Sequence, residues 1–143
     1  MNVFKTAYIM KGKITHINPE GLMKSSLISQ IVTTRGDGTT IYIGGQNSIN
    51  FNGKVIGEGD IHIQTAQVMY NIGIALRACG ATFDHVVKLT IYTIEGQDSS
   101  MAFRASQQVV SFKFPPCITS VVVSGLSNPD YLIQIDAIAF LPE

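Results

Sequence analysis

With 143 residues, 45% of them hydrophobic, the chain can build one domain with a real core, and ten Lys plus Arg balance ten Asp plus Glu to leave no net charge. That balance leaves no broad basic face of the kind phosphate-backbone binding needs, which argues against nucleic acid as a partner. No apolar run approaches a membrane span and Ala7 to Met10 is too short for a signal sequence, so the two well-separated cysteines, Cys79 and Cys117, read as reduced thiols of a cytoplasmic protein.

Lys13 to Asn18 and Ser29 to Thr34 read as strands. Arg35-Gly36-Asp37-Gly38 forms a turn before a third strand, Thr40 to Ile43, giving an antiparallel N-terminal sheet. The Arg-Gly-Asp triplet is turn chemistry here rather than an adhesion motif. After Gly44-Gly45-Gln46, the Asn- and Gly-rich stretch Asn47 to Gly59, with its Asn52-Gly53 pair, is expected to be a surface excursion. Asp60 can cap a helix in which Thr65, Val68, Met69, Ile72, Ala75, Leu76 and Cys79 recur at three- and four-residue spacing, with Gly80 at its end. Gly73 in mid-helix costs about 1 kcal/mol against alanine and predicts close packing against another backbone. Val86 to Glu95 reads as a strand, and Asp98 opens a second helix whose buried stripe is Met101, Ala105, Val109 and Phe112, stopped by Pro115-Pro116. Two last strands, Ile118 to Leu126 and Tyr131 to Phe140, are joined by the Asn128-Pro129-Asp130 turn.

Residues 1–143 are thus expected to form a single α+β domain, with residues 1–12 as an N-terminal extension. Two helices cover one face of a sheet, yet Ile133, Ile135, Ala137 and Ala139 alternate with Leu132, Gln134, Asp136 and Ile138, so both faces carry apolar side chains. The second face needs a cover, and another copy of the chain in a closed symmetric oligomer supplies one.

The common chemical signatures are absent: no phosphate loop, no dinucleotide-binding glycine pattern, no CxxC pair and no HExxH helix. His16, His62 and His85 fall on a strand, a helix start and a loop without metal-ligand pairing, and read as surface or satisfied histidines. No metal site is expected, and no catalytic triad can be assigned from separate Ser, Cys and His residues.

Four stretches in order resemble the Rid family of reactive intermediate deaminases, also called the YjgF or UK114 family. They are Ile41 to Gln46, Gln64-Thr65-Ala66-Gln67 with Asn71-Ile72, Leu76 to Lys88, and Pro115 to Ala139, together spanning nearly the whole chain. The resemblance implies a chorismate-mutase-like α+β subunit, with a mixed sheet of six strands covered on one face by two helices, assembled as a homotrimer with clefts between subunits. It implies a cofactor-free hydrolysis of enamines and imines to carbonyl compounds and ammonia. An arginine on the penultimate strand would hold the substrate carboxylate, and a glutamate on the last strand would position water.

Carried over residue by residue, that pattern departs from the family where the chemistry lies. The arginine position is Ile118, within Pro116-Cys117-Ile118-Thr119-Ser120. The first glutamate is Gln134 and the second Asp136, the aromatic before Ser29-Gln30 is Ile28, and the serine of Ser-Gly-Gln is Gly44, ahead of Gly45-Gln46. The expected ligand cleft is therefore Ile28, Gly44, Gln46, Cys117, Ile118, Thr119, Ser120 and Gln134, with Gln134 the candidate catalytic residue and Lys88, Arg104 and Asp136 the candidate compensating charges. Isoleucine cannot pair with a carboxylate, whose burial without a partner costs several kcal/mol, and glutamine holds water without taking its proton. A neutral or apolar small molecule suits such a cleft. Three functions follow: a trimer that binds a small metabolite in clefts between subunits, with enamine or imine hydrolysis open to it but not required, a non-catalytic ligand-sensing or partner-binding trimer, and ribonuclease or translation inhibition, which the charge balance disfavours.

Overall fold

The computed structural model describes residues 10–143, so residues 1–9 of the expected extension lie outside the described residues. Six strands form, but in two sheets rather than one. β1 (Lys13–Ile17) and β2 (Ile31–Arg35) make an antiparallel pair, while β3 (Gly38–Gln46), β4 (Val86–Ile94), β5 (Cys117–Val123) and β6 (Ile133–Pro142) make a four-stranded sheet in the order β3-β6-β4-β5. The helices are α1 (Ile61–Ala78) and α2 (Ser99–Val109).

The N-terminal antiparallel sheet therefore holds two strands, not three: β3 pairs with β6 rather than with β2. The intervening turn is held from outside the hairpin. Asp37 donates its N–H to the Met10 carbonyl and accepts from the Glu143 N–H, so the turn's polar groups are taken by the ends of the described chain. Gly36 is required there: its φ is +82°, and a Cβ would lie 2.5 Å from the carbonyl oxygens of Met10 and Lys11.

β4 and β5 run parallel, which demands a crossover, and α2 supplies it; β6 runs antiparallel to both its neighbours. Ile133, Ile135, Ala137 and Ala139 of β6 are buried with Ile41 and Ile43 of β3, Leu89 and Ile91 of β4, and Val68, Met69, Ile72 and Leu76 of α1. Each large side chain fully buried there contributes about 1.5–3 kcal/mol.

Helix α1 follows its spacing. The Asp60 carboxylate accepts from the N–H groups of His62 and Ile63, and at the far end Ala81 N–H bonds to Leu76 O and Gly80 N–H to Arg77 O, with Gly80 at φ +72°. Cys79 caps this end and is exposed, outside the buried stripe. Gly73 packs closely, but against a side chain: a Cβ would lie 3.2 Å from the Phe83 ring and 3.3 Å from the Arg77 guanidinium, not against a backbone.

In α2 the stripe is displaced. Ala102 and Ala105 are buried, followed by Val110, whereas Met101 and Val109 are exposed and Phe112 lies beyond the helix, edge-on to Phe83. The helix packs beside α1, and a close approach between helices selects alanine rather than the larger residues. It ends at Val109, well before Pro115-Pro116. Asp98 caps its start, and hydrogen bonds from the Ser100 hydroxyl and N–H hold its carboxyl below the usual carboxylate range. No helix among the described residues is long and apolar enough to cross a membrane.

Candidate functional site

Pairing register separates the two faces of the main sheet. Leu89 pairs with Ala137 on one side and Ile118 on the other, and all three lie on the helix-covered face. Tyr92 pairs with Gln134 and Val121, Thr90 with Asp136 and Thr119, and Lys88 with Ile138 and Cys117, so these residues share the opposite face. No helix among the described residues covers that face; Tyr42, which pairs with Ile138, is 77% exposed on it.

The expected cleft residues consequently fall into two groups within one subunit. The first surrounds the start of β5. Ser29 donates its N–H to Pro116 O at 3.0 Å and its hydroxyl to Pro115 O at 2.5 Å, and the Cys117 thiol points at Gln30 O at 3.6 Å; half-buried Ile28 directly precedes this anchored segment. His16 fastens this group: its Nδ1 lies 3.0 Å from both Ser29 Oγ and Pro115 O, and its ring stacks on Phe114 at 5.5 Å. Ile118 packs against the core, and Ser120 follows it on the same strand face.

The second group lies at the far end of β3, where the ladder to β6 is interrupted by a bulge between Ile43 and Gln46. Gly44 and Gly45 occupy the bulge. Gly45 is needed there, because a Cβ would lie 2.5 Å from Gln134 Nε2 and 2.7 Å from its Cδ; the Gln134 side chain lies over the glycine. Gln46 turns back toward Gly44 O, which its amide reaches at 3.1 Å. The Tyr92 partner of Gln134 is paired with Val121, four residues along β5 from Cys117, which is about 13 Å at strand spacing. One subunit therefore does not bring Ile28 and Cys117 together with Gly44 and Gln134.

Two side chains outside the expected cleft set, Asn47 and Asn71, hold the surroundings of Gln134. Asn47 Nδ2 lies 3.4 Å from Gln134 Oε1 and 3.3 Å from Ile133 O, and Asn71 of α1 donates to the carbonyls of Asn47 and Ile49 at 3.1 and 2.9 Å. The loop before β6 is held by Gln64, fully buried, which donates to Asp130 O and accepts from the Leu132 N–H. The Asn47 to Gly59 stretch is a surface excursion as expected, with Gly53 at φ +75° and Phe51 fully exposed, but Ser48 within it is buried and bonds Ile56 O. Between this loop and α1 runs a groove of about 590 Å³ lined by Gln46, Ile49, Phe51, Tyr70, Asn71 and Ile74 among others.

Of the three compensating charges, Lys88 and Asp136 lie on the open face, on neighbouring strands and diagonal to one another; the Lys88 ammonium donates to the Thr119 hydroxyl. Arg104 does not join them. It is exposed on α2, on the helix side of the sheet, with its guanidinium 3.3 Å from Ser100 Oγ one turn away. The single ion pair among the described residues, Lys24 with Glu20, is solvent-exposed and remote in kind from any site. No cluster of three or more His, Cys, Asp or Glu among the described residues could hold a metal ion.

The family profile described as Endoribonuclease L-PSP matches residues 27–141, and the four-stranded sheet with two helices on one face is the arrangement of its solved members. The chain belongs to the Rid, or YjgF/UK114, family. This Rid-family chain is similar to a RutC family protein of Pyrococcus horikoshii, 36% identical over 106 residues, or 72% of this chain and 80% of the relative. A RutC family protein of Synechocystis is 31% identical over 88 residues, 62% of this chain and 67% of that one. Among solved structures, the Rid-family protein YyfB of Yersinia pestis superposes with a TM-score of 0.78 at 30% identity, covering 90% of this chain and 98% of YyfB.

Proposed function

We propose that this Rid-family chain assembles as a homotrimer through its open sheet face and binds a small uncharged metabolite in clefts between subunits. The observation that carries the reading is the division of the cleft residues. One subunit holds Gly44 and Gln134 at one end of the sheet and Ile28 and Cys117 at the other, and a neighbouring copy completes each cleft.

The chemistry of the two groups favours an uncharged ligand. Ile118 packs against the core and presents no cation, Arg104 stands on the helix side, and Gln134 supplies an amide where a carboxylate would be needed to take a proton from water. Binding without turnover is therefore the primary function.

One observation favours a second reading, enamine or imine hydrolysis. Lys88 and Asp136 share the open face, with the Lys88 ammonium bonded to the Thr119 hydroxyl, and could supply the substrate-carboxylate contact and the water contact from new positions. A coupled assay with freshly generated 2-aminoacrylate separates the two. We expect ammonia release no faster than the buffer blank; release that disappears in both Lys88→Met and Asp136→Asn variants would establish hydrolysis instead.

A further inference from the structure

The orientation of one side-chain amide decides what the cleft accepts. Asn47 faces Ile133 O and Gln134 Oε1 with the same atom. A backbone carbonyl can only accept, so that atom is the Asn47 nitrogen, Nδ2. Facing the same NH2 group, Gln134 must present its oxygen, and its own nitrogen is thereby turned the other way, over Gly45.

Asn47 is itself fixed from behind. Asn71 donates to the backbone carbonyls of Asn47 and Ile49, anchoring the loop, and its Oδ1 accepts from Gln67 Nε2 at 2.9 Å; the Asn47 side-chain amide takes its own orientation from Ile133 O. Gly45 leaves the space that the Gln134 nitrogen occupies.

We infer that Asn47 is a positioning residue that makes Gln134 a hydrogen-bond donor on the open face, so that the cleft selects a small molecule offering an uncharged carbonyl oxygen. A carboxylate in place of Gln134 could only accept; the amide held in this orientation reverses that polarity. This assignment rests on the small-metabolite cleft proposed above and names the class of ligand it takes. A ligand that presents an ammonium at the same point meets N–H groups head-on and is rejected by unpaired donors on both sides.

The test has two arms, one independent of any ligand. In side-chain amide NMR of the wild-type protein, the Gln134 Nε2 protons should show contacts to the Gly45 Hα protons and none to the Asn47 amide protons; contacts to Asn47 instead would overturn the inference outright. In the second arm methyl pyruvate, an uncharged 2-oxo ester, and alanine methyl ester, its ammonium counterpart, are titrated into the assembled protein. Methyl pyruvate should bind at least about tenfold more tightly, with a downfield shift of the Gln134 amide protons.

Gln134→Glu, which keeps the contact with Asn47 but removes the donor, should abolish that preference with an unchanged melting temperature. Asn47→Asp, which can accept only, should turn the Gln134 amide over and weaken methyl pyruvate binding while strengthening the ammonium ligand. Equal binding of both probes to the wild type, or a preference that survives Gln134→Glu, would overturn the assignment while leaving the cleft itself standing. Binding of neither probe, with the amide contacts as described, would contradict the cleft and the ligand class together.

Discussion

At the scale of single residues, Gly45 and Gln134 form one unit. The bulge in β3 brings the glycine under the glutamine side chain, and the atoms that a Cβ would strike belong to that flexible side chain rather than to backbone. Gly45→Ala should therefore leave the fold intact, lowering stability by no more than about 1–2 kcal/mol, but push the Gln134 amide out of place and weaken small-molecule binding by an order of magnitude or so. Thermal melting and titration of the same sample check both halves; unaltered binding would remove Gln134 from the cleft. The glutamine itself was legible in the sequence, from the resemblance of Ile133 to Ala137 to a family strand. Its partner Asn47 was not, because Asn47 sits in a loop that reads as an excursion and meets Gln134 across 87 positions of sequence. The orientation of an amide depends on such distant carbonyls, which no local pattern announces.

At the scale of elements, α1 was legible and α2 only in part. The first helix has a cap, a full apolar stripe and a terminal glycine, and each signal is local. Asp60→Ala should cost about 1 kcal/mol in chemical denaturation, with Asp60→Asn recovering most of it, since either side-chain oxygen can accept from the His62 and Ile63 N–H groups. An unchanged midpoint in Asp60→Ala would deny the cap its role. In α2 hydrophobic size misleads, because the tight side against α1 is lined by Ala102 and Ala105 while Met101 and Val109 face outward. The Asp98 cap adds a pH dependence. Its carboxyl is held below the ordinary range by Ser100, so its contribution to α2 is present above the unfolded-state value and is lost as pH falls through the lower, folded-state value. Amide exchange in α2 should accelerate in that acidic window, and the acceleration should vanish in Asp98→Asn.

At the scale of the whole molecule, the open face of the main sheet is the feature that alternation in β6 anticipated. Ile133, Ile135, Ala137 and Ala139 point to the helices, and Gln134, Asp136 and Ile138 point away, half-buried. Part of the expected cover comes from the chain itself. The β1–β2 pair docks where β5 begins and β6 ends, through Ser29 to Pro116 and Gly12 to Glu143. The strands β1 and β2 were visible in the sequence, but their separation from β3 was not, since it depends on Met10 and Glu143 closing around Asp37.

The remaining open face includes Val121, 37% exposed and paired with Tyr92. Val121→Asp should convert the proposed trimer to monomer, because assembly through this face would bury an unpaired carboxylate. Light scattering reads this directly: wild type at three times the 15.5 kDa chain mass, the variant at one. A wild-type monomer at micromolar concentration would contradict the assembly.

The most direct test of the account is a crystal structure of the protein grown with methyl pyruvate. Three copies should pack with their open sheet faces turned inward, and ligand density should lie between subunits with its carbonyl oxygen in hydrogen-bond contact with Gln134 Nε2 of one copy and its methyl group near Ile28 of the next. Ligand bound wholly within one subunit, or copies packed through their helices with the sheet face left to solvent, would contradict it.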